Sequence, residues 1–134
     1  MNEIDVTLYS TLTGGAALTA LLSGTAAVYP MQAPQGASYP YIVFNQMAGG
    51  NLGITQNKRR EYLYQVQIYT KASLAAAWAI DAQVDALLDG KTLSVAGWTN
   101  SRTERGTDLP ITETLANGET VYSVRTFYTI RLSK

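Results

Sequence analysis

The chain contains neither cysteine nor histidine. Without cysteine, disulfide bonds and thiolate chemistry are excluded. Without histidine, the chain lacks the usual general base near neutral pH and the commonest metal ligand. Charged residues make up only 15% of the chain, and ten basic residues balance ten acidic ones. This balance argues against a domain that neutralises many phosphates. We therefore predict no catalytic site, no metal site and no cofactor.

Long apolar runs are also missing. The longest uninterrupted apolar stretch covers residues 74–80, whereas a membrane-spanning helix needs about 20 residues. The N-terminus carries Glu3 and Asp5 where a signal peptide would carry basic residues. The sequence therefore predicts a protein that is neither inserted into a membrane nor secreted.

A connector rich in proline and tyrosine occupies residues 28–44. Pro30, Pro34 and Pro40 fix their own φ angles and push the residues before them toward extended conformations. The pattern predicts a rigid, non-helical segment that leads directly into a strand at Tyr41.

Three helices are predicted from the spacing of apolar residues. Two are short and lie over residues 5–12 and 16–22. The third, over residues 73–88, carries an apolar stripe at helical spacing. Ser73 is suited to cap its N-terminus, and Gly90 is suited to end it.

The predicted strands cover residues 41–47, 60–70, 91–106 and 120–132, with a long hairpin loop over residues 48–59. The first is apolar on both faces, which is typical of a central strand. The second alternates cleanly, as expected for a sheet with one covered face. The third begins with Leu93 and Val95 and becomes polar after Trp98. Asn117-Gly118 predicts a two-residue hairpin turn before the last strand.

The predicted order is helix, helix, strand, strand, helix, strand, strand, in a single domain over residues 1–134. The simplest packing is an α+β fold. It has a mostly antiparallel sheet of four to five strands, with one long helix and two short N-terminal helices on one face.

Asp81, Asp85 and Asp89 recur every four residues, so they line one side of the third helix. Like charges at this spacing cost about 0.2–0.5 kcal/mol per pair. Three interpretations stay open: a solvated polar face, a divalent metal site, and an acidic strip that meets a basic surface on a neighbouring molecule. The metal site is disfavoured, because we expect the side chains to lie along the helix rather than converge.

Trp78 flanks the apolar stripe on the same side of the helix. It either packs beneath the end of a strand or anchors an interface, where tryptophan is enriched. The basic residues form a run at Lys58-Arg59-Arg60 and a pair at Arg102 and Arg105. They are either ordinary solubility charges or the basic surface that the helix acids meet on a neighbouring copy. Segregated charges on a neutral chain suit a head-to-tail contact between copies. The candidate interface residues are Trp78, Asp81, Asp85, Asp89, Arg59, Arg60, Arg102 and Arg105.

Two polar stretches, residues 99–104 and 108–114, have little to bury against. They are either exposed loops or extensions that pair with another chain.

The order of these pieces resembles the tail-completion, or tail-terminator, proteins of long-tailed bacteriophages. The resemblance covers most of the chain. It is carried by the pair of N-terminal helices, the loop Pro34-Gln35-Gly36, the stretch Tyr39-Pro40-Tyr41-Ile42-Val43, the strand over residues 64–69, the alanine-rich helix over residues 74–88, and the ending Thr129-Ile130-Arg131-Leu132.

The resemblance implies a structural virion protein without enzymatic turnover. It would form a homo-oligomeric ring, a hexamer, at the head-proximal end of the tail tube, after assembly in the bacterial cytoplasm. Its partners would be the tail tube protein, the head-tail connector protein, and DNA in transient, nonspecific contact within the lumen. Two alternatives stay open. One is another neck or head-closure ring, and the other is a small-ligand-binding α+β domain whose pocket is lined by some of the nine tyrosines.

Overall fold

The computed structural model describes residues 3–22, 27–34, 36–51, 59–98 and 100–133. Within these ranges the chain forms three helices and five strands. The elements are α1 (Glu3–Thr13), α2 (Ala16–Thr19), β1 (Val28–Pro30), β2 (Tyr41–Asn51), β3 (Arg59–Thr70), α3 (Leu74–Leu88), β4 (Asn100–Thr114) and β5 (Thr120–Ser133). None of the helices in the described ranges is both long and apolar enough to cross a membrane.

The strands form one sheet in the order β1-β2-β3-β5-β4. β1 runs parallel to β2, and the other neighbours are antiparallel. The predicted α+β class with a mostly antiparallel sheet is confirmed. β2 lies between β1 and β3, as the apolar character of both its faces predicted.

The core lies between one face of this sheet and the helices. Alternate residues of β3 and β5, such as Tyr64, Ile68 and Ile130, are fully buried there. They form one apolar cluster with Leu8 of α1 and Val84 of α3. Each such side chain contributes about 1.5–3 kcal/mol on burial. The opposite face of the sheet lies outside this cluster, although Val43 and Gln65 on it are buried. Since no described helix packs on it, we call it the uncovered face.

α3 follows the prediction closely. Ser73 caps its N-terminus, since its Oγ accepts a hydrogen bond from the N–H of Ala76 at 3.0 Å. Gly90, just beyond the end, adopts φ +70°, which favours glycine. Ile80 and Leu88 of the predicted stripe are buried. Local capping and periodicity are therefore enough to predict this helix from the sequence.

Three local predictions need correction near the N-terminal half. α2 ends at Thr19 rather than at residue 22. The connector opens with the short strand β1, which only its pairing with β2 reveals. β2 continues through a bulge after Gln46 to Asn51, so residues 48–51 are strand rather than loop. Residues 52–58 of the predicted loop lie outside the described residues.

The prediction for residues 91–106 was wrong at its start. Residues 91–98 form no strand, although Leu93 and Val95 are buried in the core. The hydroxyl of Ser101 donates to the carbonyl of Leu93 and accepts from its N–H, which holds this segment beside β4. Alternating burial therefore arises here in a segment that is not a strand and that precedes a turn at residues 96–97, because apolar alternation alone does not require strand pairing.

Residues 100–104 and 108–114 of the polar stretches belong to one long strand, β4, which pairs along its length with β5 of the same chain. They are therefore not loops, and on the side that faces β5 they do not pair with another chain. Thr99 lies outside the described residues. The hairpin that joins β4 to β5 is confirmed at Asn117-Gly118, but its loop has three residues. The N–H of Gly118 bonds Leu115 O at 2.9 Å, and the N–H of Leu115 bonds Glu119 O at 2.7 Å. Gly118 has φ +87°, as a turn followed by a left-handed residue requires.

Candidate assembly surface

α3 and β4 meet at Arg105, where β4 bulges before Asp108. The guanidinium lies 2.7 Å from a carboxylate oxygen of Asp81, 3.1 Å from one of Asp85 and 3.0 Å from one of Asp108. The main-chain N–H of Arg105 donates to Asp89 Oδ1 at 2.9 Å. The four-residue spacing places the helix acids on one side, and the bulge brings a cation to them. We call these five residues the Arg105 cluster.

Burial separates the members of the cluster. The Asp81 side chain is only 5% exposed, and its Oδ1 also accepts a hydrogen bond from the hydroxyl of Thr126 at 2.8 Å. The solvated-face interpretation is therefore wrong for Asp81. Across the described ranges, no three potential ligand side chains are grouped to hold a metal ion.

The surroundings of Arg105 stabilise its charged form. Burial acts to lower the pKa of Arg105, but hydrogen bonds to Asp81 and Asp108 outweigh it and raise this pKa above its ordinary value. Burial also raises the pKa of Tyr128, whose hydroxyl accepts a hydrogen bond from Arg105 at 3.4 Å. The guanidinium contacts three carboxylates and the main-chain N–H contacts a fourth, so the cluster has a formal excess of negative charge.

The other candidate residues lie apart from this cluster. Arg60 is half-buried, with its guanidinium 5.4 Å from the ring centroid of Trp98. Arg102 is exposed and pairs with Glu104 at 3.0 Å. Trp78 is half-buried on α3. Lys58 and the side chain of Arg59 lie outside the described residues. The structure thus brings Arg105 together with the helix acids inside one subunit.

A row of ion pairs crosses the uncovered face at the Asn100 end of β4. Arg131 contacts Glu61 at 3.0 Å and Glu104 at 2.8 Å. Hydrogen bonds to these carboxylates raise the pKa of Arg131, and hydrogen bonds from Arg131 and Arg102 lower the pKa of Glu104. Sequence reasoning missed this row, because it depends on strand register rather than on local spacing.

Comparison with known families identifies the family of the chain. The tail completion protein gp17 family matches residues 6–126. The chain belongs to this family. The resemblance inferred from sequence is thereby confirmed, and the protein is a structural component of phage-type tails and their virions.

Two solved structures share the fold of this tail completion protein. One, described as the virion of a native gene transfer agent particle, has a TM-score of 0.80 at 16% identity and covers 98% of this chain and 96% of that chain. The other, whose description names no function, has a TM-score of 0.68 at 15% identity, with coverage of 98% and 94%. No curated protein matches the chain by sequence.

The opposite end of the sheet in this tail completion protein is aromatic. Tyr41 packs against Tyr29, Tyr39 and Tyr69 with ring centroids 5.9, 5.0 and 5.2 Å away. Burial raises the pKa of Tyr41 and of Tyr69, so both phenols are neutral at physiological pH. Lys71 sits 4.8 Å above the ring of Tyr39.

A groove of about 820 Å³ runs along this aromatic end, lined in part by Pro34, Tyr39 and Lys71. Lys71 also forms an ion pair with Glu119 across the groove margin. The two ends of the sheet therefore differ in chemistry: one presents paired charges, and the other presents aromatic and small side chains beside the Lys71–Glu119 ion pair.

Proposed function

We propose that this protein is a tail terminator. Its subunits close into a ring, a hexamer, at the head-proximal end of the tail tube, where the ring stops tube polymerisation and docks the head-tail connector protein. The observation that carries the proposal is the family match over residues 6–126. The work is stoichiometric, and DNA crosses the lumen with only transient, nonspecific contact, in keeping with a net charge of zero.

The arrangement of charges supports a head-to-tail ring. In such a ring a different surface of each copy meets its neighbour. We propose that Trp78, Asp85 and Asp89 lie on one such surface and that arginines at the Asn100 end of the sheet lie on the other. The candidate arginines are Arg59, Arg60 and Arg102. Asp81 and Arg105 act within the subunit, since their mutual contact fixes the shape of the acidic surface.

End-binding to tubes tests this function. A cysteine introduced at exposed Ser94 gives a single labelling site, because the chain has none of its own. The gold-labelled protein is added to tubes of the matching tail tube protein and viewed by electron microscopy. We expect label at one end only and an arrest of tube growth. Label spread along the tube, or growth that continues unchanged, would contradict the proposal.

The groove beside Tyr39 and Tyr41 favours a second candidate function, the binding of a small ligand. Light scattering separates the two. A ligand-binding domain stays monomeric or dimeric at all concentrations, whereas a ring former associates, alone or with tube protein. A neck or head-closure ring would instead bind the connector protein and leave tube growth unaffected.

A further inference from the structure

The sheet of this subunit has two edges, β1 and β4, and an open strand edge can pair with another chain. The first half of β4 is closed by the chain itself. The N–H of Thr103 donates to Lys91 O at 3.1 Å, and its carbonyl accepts from the N–H of Gly90 at 2.8 Å. Asp89 accepts a hydrogen bond from the N–H of Arg105 at 2.9 Å. The residues that follow α3 therefore cover this edge as far as the bulge.

The second half of β4, residues 108–114, has no such cover. No main-chain hydrogen bond from the described part of the chain reaches its outer side. The N–H of Leu115 bonds Glu119 O, and N–H directions alternate along an antiparallel strand, so odd-numbered residues here face β5. The main-chain groups of Thr112 and Thr114 therefore point away from the sheet. They are the donors and acceptors that an incoming strand would use.

The side chains of this open stretch are also typical of strands that pair. Ile111, Thr112 and Thr114 are β-branched, a class of residue that is enriched in strands. Beside them, the apolar side chain of Leu109 is 47% exposed. An open edge of this composition is a site where a second copy of the chain could add a strand.

Pro110 interrupts the open stretch. Its nitrogen points outward on the same side as the N–H groups of Thr112 and Thr114, but it carries no hydrogen. An incoming strand whose register spans Pro110 would lose a ladder hydrogen bond there, and the facing carbonyl would be left without its donor. In an antiparallel pairing between the β4 strands of two copies, each copy brings its own proline, so the symmetric arrangement loses two such bonds.

The other edge, β1, is closed by contacts within the subunit. The N–H of Met31 donates to Phe44 O at 2.7 Å, so odd-numbered residues face β2 in this parallel pairing and Pro30 points outward. The carbonyl of Pro30 accepts a hydrogen bond from the N–H of Gln32 at 2.7 Å. Val28, the other outward residue of β1, is buried. Of the two edges, the outer half of β4 is therefore the one whose protection rests on a single residue of the described chain.

We propose that Pro110 keeps subunits from joining strand to strand, and that without it the outer half of β4 pairs antiparallel with β4 of a second copy. The absence of one N–H at the middle of the open stretch is sufficient, because the stretch is only seven residues long and pairing on either side of Pro110 is too short to be stable. This goes beyond the proposed function, since it holds for the subunit whether or not a ring forms.

Moving the proline tests the proposal. Pro110→Thr restores the missing N–H. The double variant Pro110→Thr/Thr112→Pro has the composition of the wild type and places the gap two residues farther along the same side of the strand. Pro34→Thr is the matched control, because Pro34 is exposed and lies outside the described strands.

Thioflavin T fluorescence and sedimentation are measured over a range of concentrations, and urea denaturation checks that each variant is folded. We expect Pro110→Thr to form sedimenting, thioflavin-positive assemblies at a concentration at least about tenfold lower than the wild type, through the two regained hydrogen bonds. The double variant and Pro34→Thr are expected to behave like the wild type. Pro110→Val, tested in parallel, should give the same result as Pro110→Thr.

Hydrogen exchange, read residue by residue by NMR, locates the contact. In the wild-type protein the N–H groups of Thr112 and Thr114 are expected to exchange at least about tenfold faster than those of Ile111 and Glu113, because only the latter bond β5. In the assemblies of Pro110→Thr, the N–H groups of Thr112 and Thr114 should become protected.

Four results would overturn the proposal. One is a folded Pro110→Thr protein that associates no more than the wild type, and another is a double variant that associates as strongly as Pro110→Thr. Slow exchange at Thr112 and Thr114 in the wild-type protein would mean that this edge is already paired. Loss of folding in both Pro110→Thr and Pro110→Val would mean that Pro110 supports the fold itself rather than protecting the edge.

Discussion

Asp81 carries a charge that is almost completely withdrawn from water, and its environment shows how that is tolerated. Arg105 and the hydroxyl of Thr126 each contact one of its two oxygens. A buried carboxylate is stable only when it is paired and hydrogen-bonded in this way. The pair also ties α3 to the bulge of β4, so one residue contact fixes the relation of a helix to an edge strand.

Arg105→Met tests the importance of this pair. We expect the free energy of unfolding to fall by about 3 kcal/mol, because Asp81 is left buried without its cation. Lys91→Met is the matched control; Lys91 is exposed, and its replacement is expected to change stability by no more than about 0.5 kcal/mol. Urea denaturation measures both. Similar small losses in the two variants would mean that Asp81 does not depend on Arg105.

Glu104 gives a pH-dependent prediction. Hydrogen bonds from Arg131 and Arg102 lower its pKa from the ordinary value of 4.5, so the unfolded chain binds this proton more tightly than the folded one. The resulting stabilisation is complete above pH 4.5 and is lost as the pH falls through the lower, folded-state pKa. Glu104→Gln is therefore expected to unfold at lower urea concentration than wild type at pH 7. The gap should close in strong acid, and a gap that stays constant down to pH 2 would count against the argument.

At the scale of elements, α3 is predicted by local signals, namely its capping residue and its apolar stripe. Its cap is a single hydrogen bond, so Ser73→Ala is expected to cost about 1 kcal/mol in urea denaturation. Ser10→Ala on the exposed side of α1 should cost nothing, because alanine is the better helix former at an interior position. If both changes had the same effect, Ser73 would not be acting as a cap.

The alternation of β4 gives a second prediction at this scale. The N–H of Leu115 bonds Glu119 O. Because N–H directions alternate along the strand, the N–H of Ile111 faces β5, and the N–H of Thr112 faces outward, as does the nitrogen of Pro110. Ile111→Pro is expected to cost about 3 kcal/mol or more through a lost ladder bond and strain. Thr112→Pro should cost on the order of 1 kcal/mol or less, as proline does at open edges. Thermal unfolding of the two variants would refute the edge assignment if their losses were equal.

The elements differ in how far sequence could predict them. α3, β3 and β5 have long periodic patterns and sit where those patterns predict. β1 is too short to leave a pattern, and Leu93 and Val95 alternate like a strand although their segment lies beside β4 without forming one. Only the acidic half of the Arg105 cluster could be predicted, because the spacing of Asp81, Asp85 and Asp89 places them on one side of a helix. Their cation comes from a distant strand whose register no local pattern reveals.

For the whole molecule, the placement of the helices on one side leaves a sheet with an uncovered face, two unlike edges and two unlike ends. One edge carries the acidic Arg105 cluster and the exposed side chain of Leu109, and the other ends at Met31, which is exposed and has φ +65°. One end presents paired charges, and the other the tyrosine groove. The described part of the subunit therefore presents chemically different surfaces, which the proposed head-to-tail ring requires.

Native mass spectrometry of the purified protein, with negative-stain images of the same sample, tests the proposed ring most directly. The account predicts a single closed assembly, a hexamer, seen as rings with a central opening, either alone or once tail tubes are added. A protein that stays monomeric at every concentration, and that remains so in the presence of tubes, would contradict it.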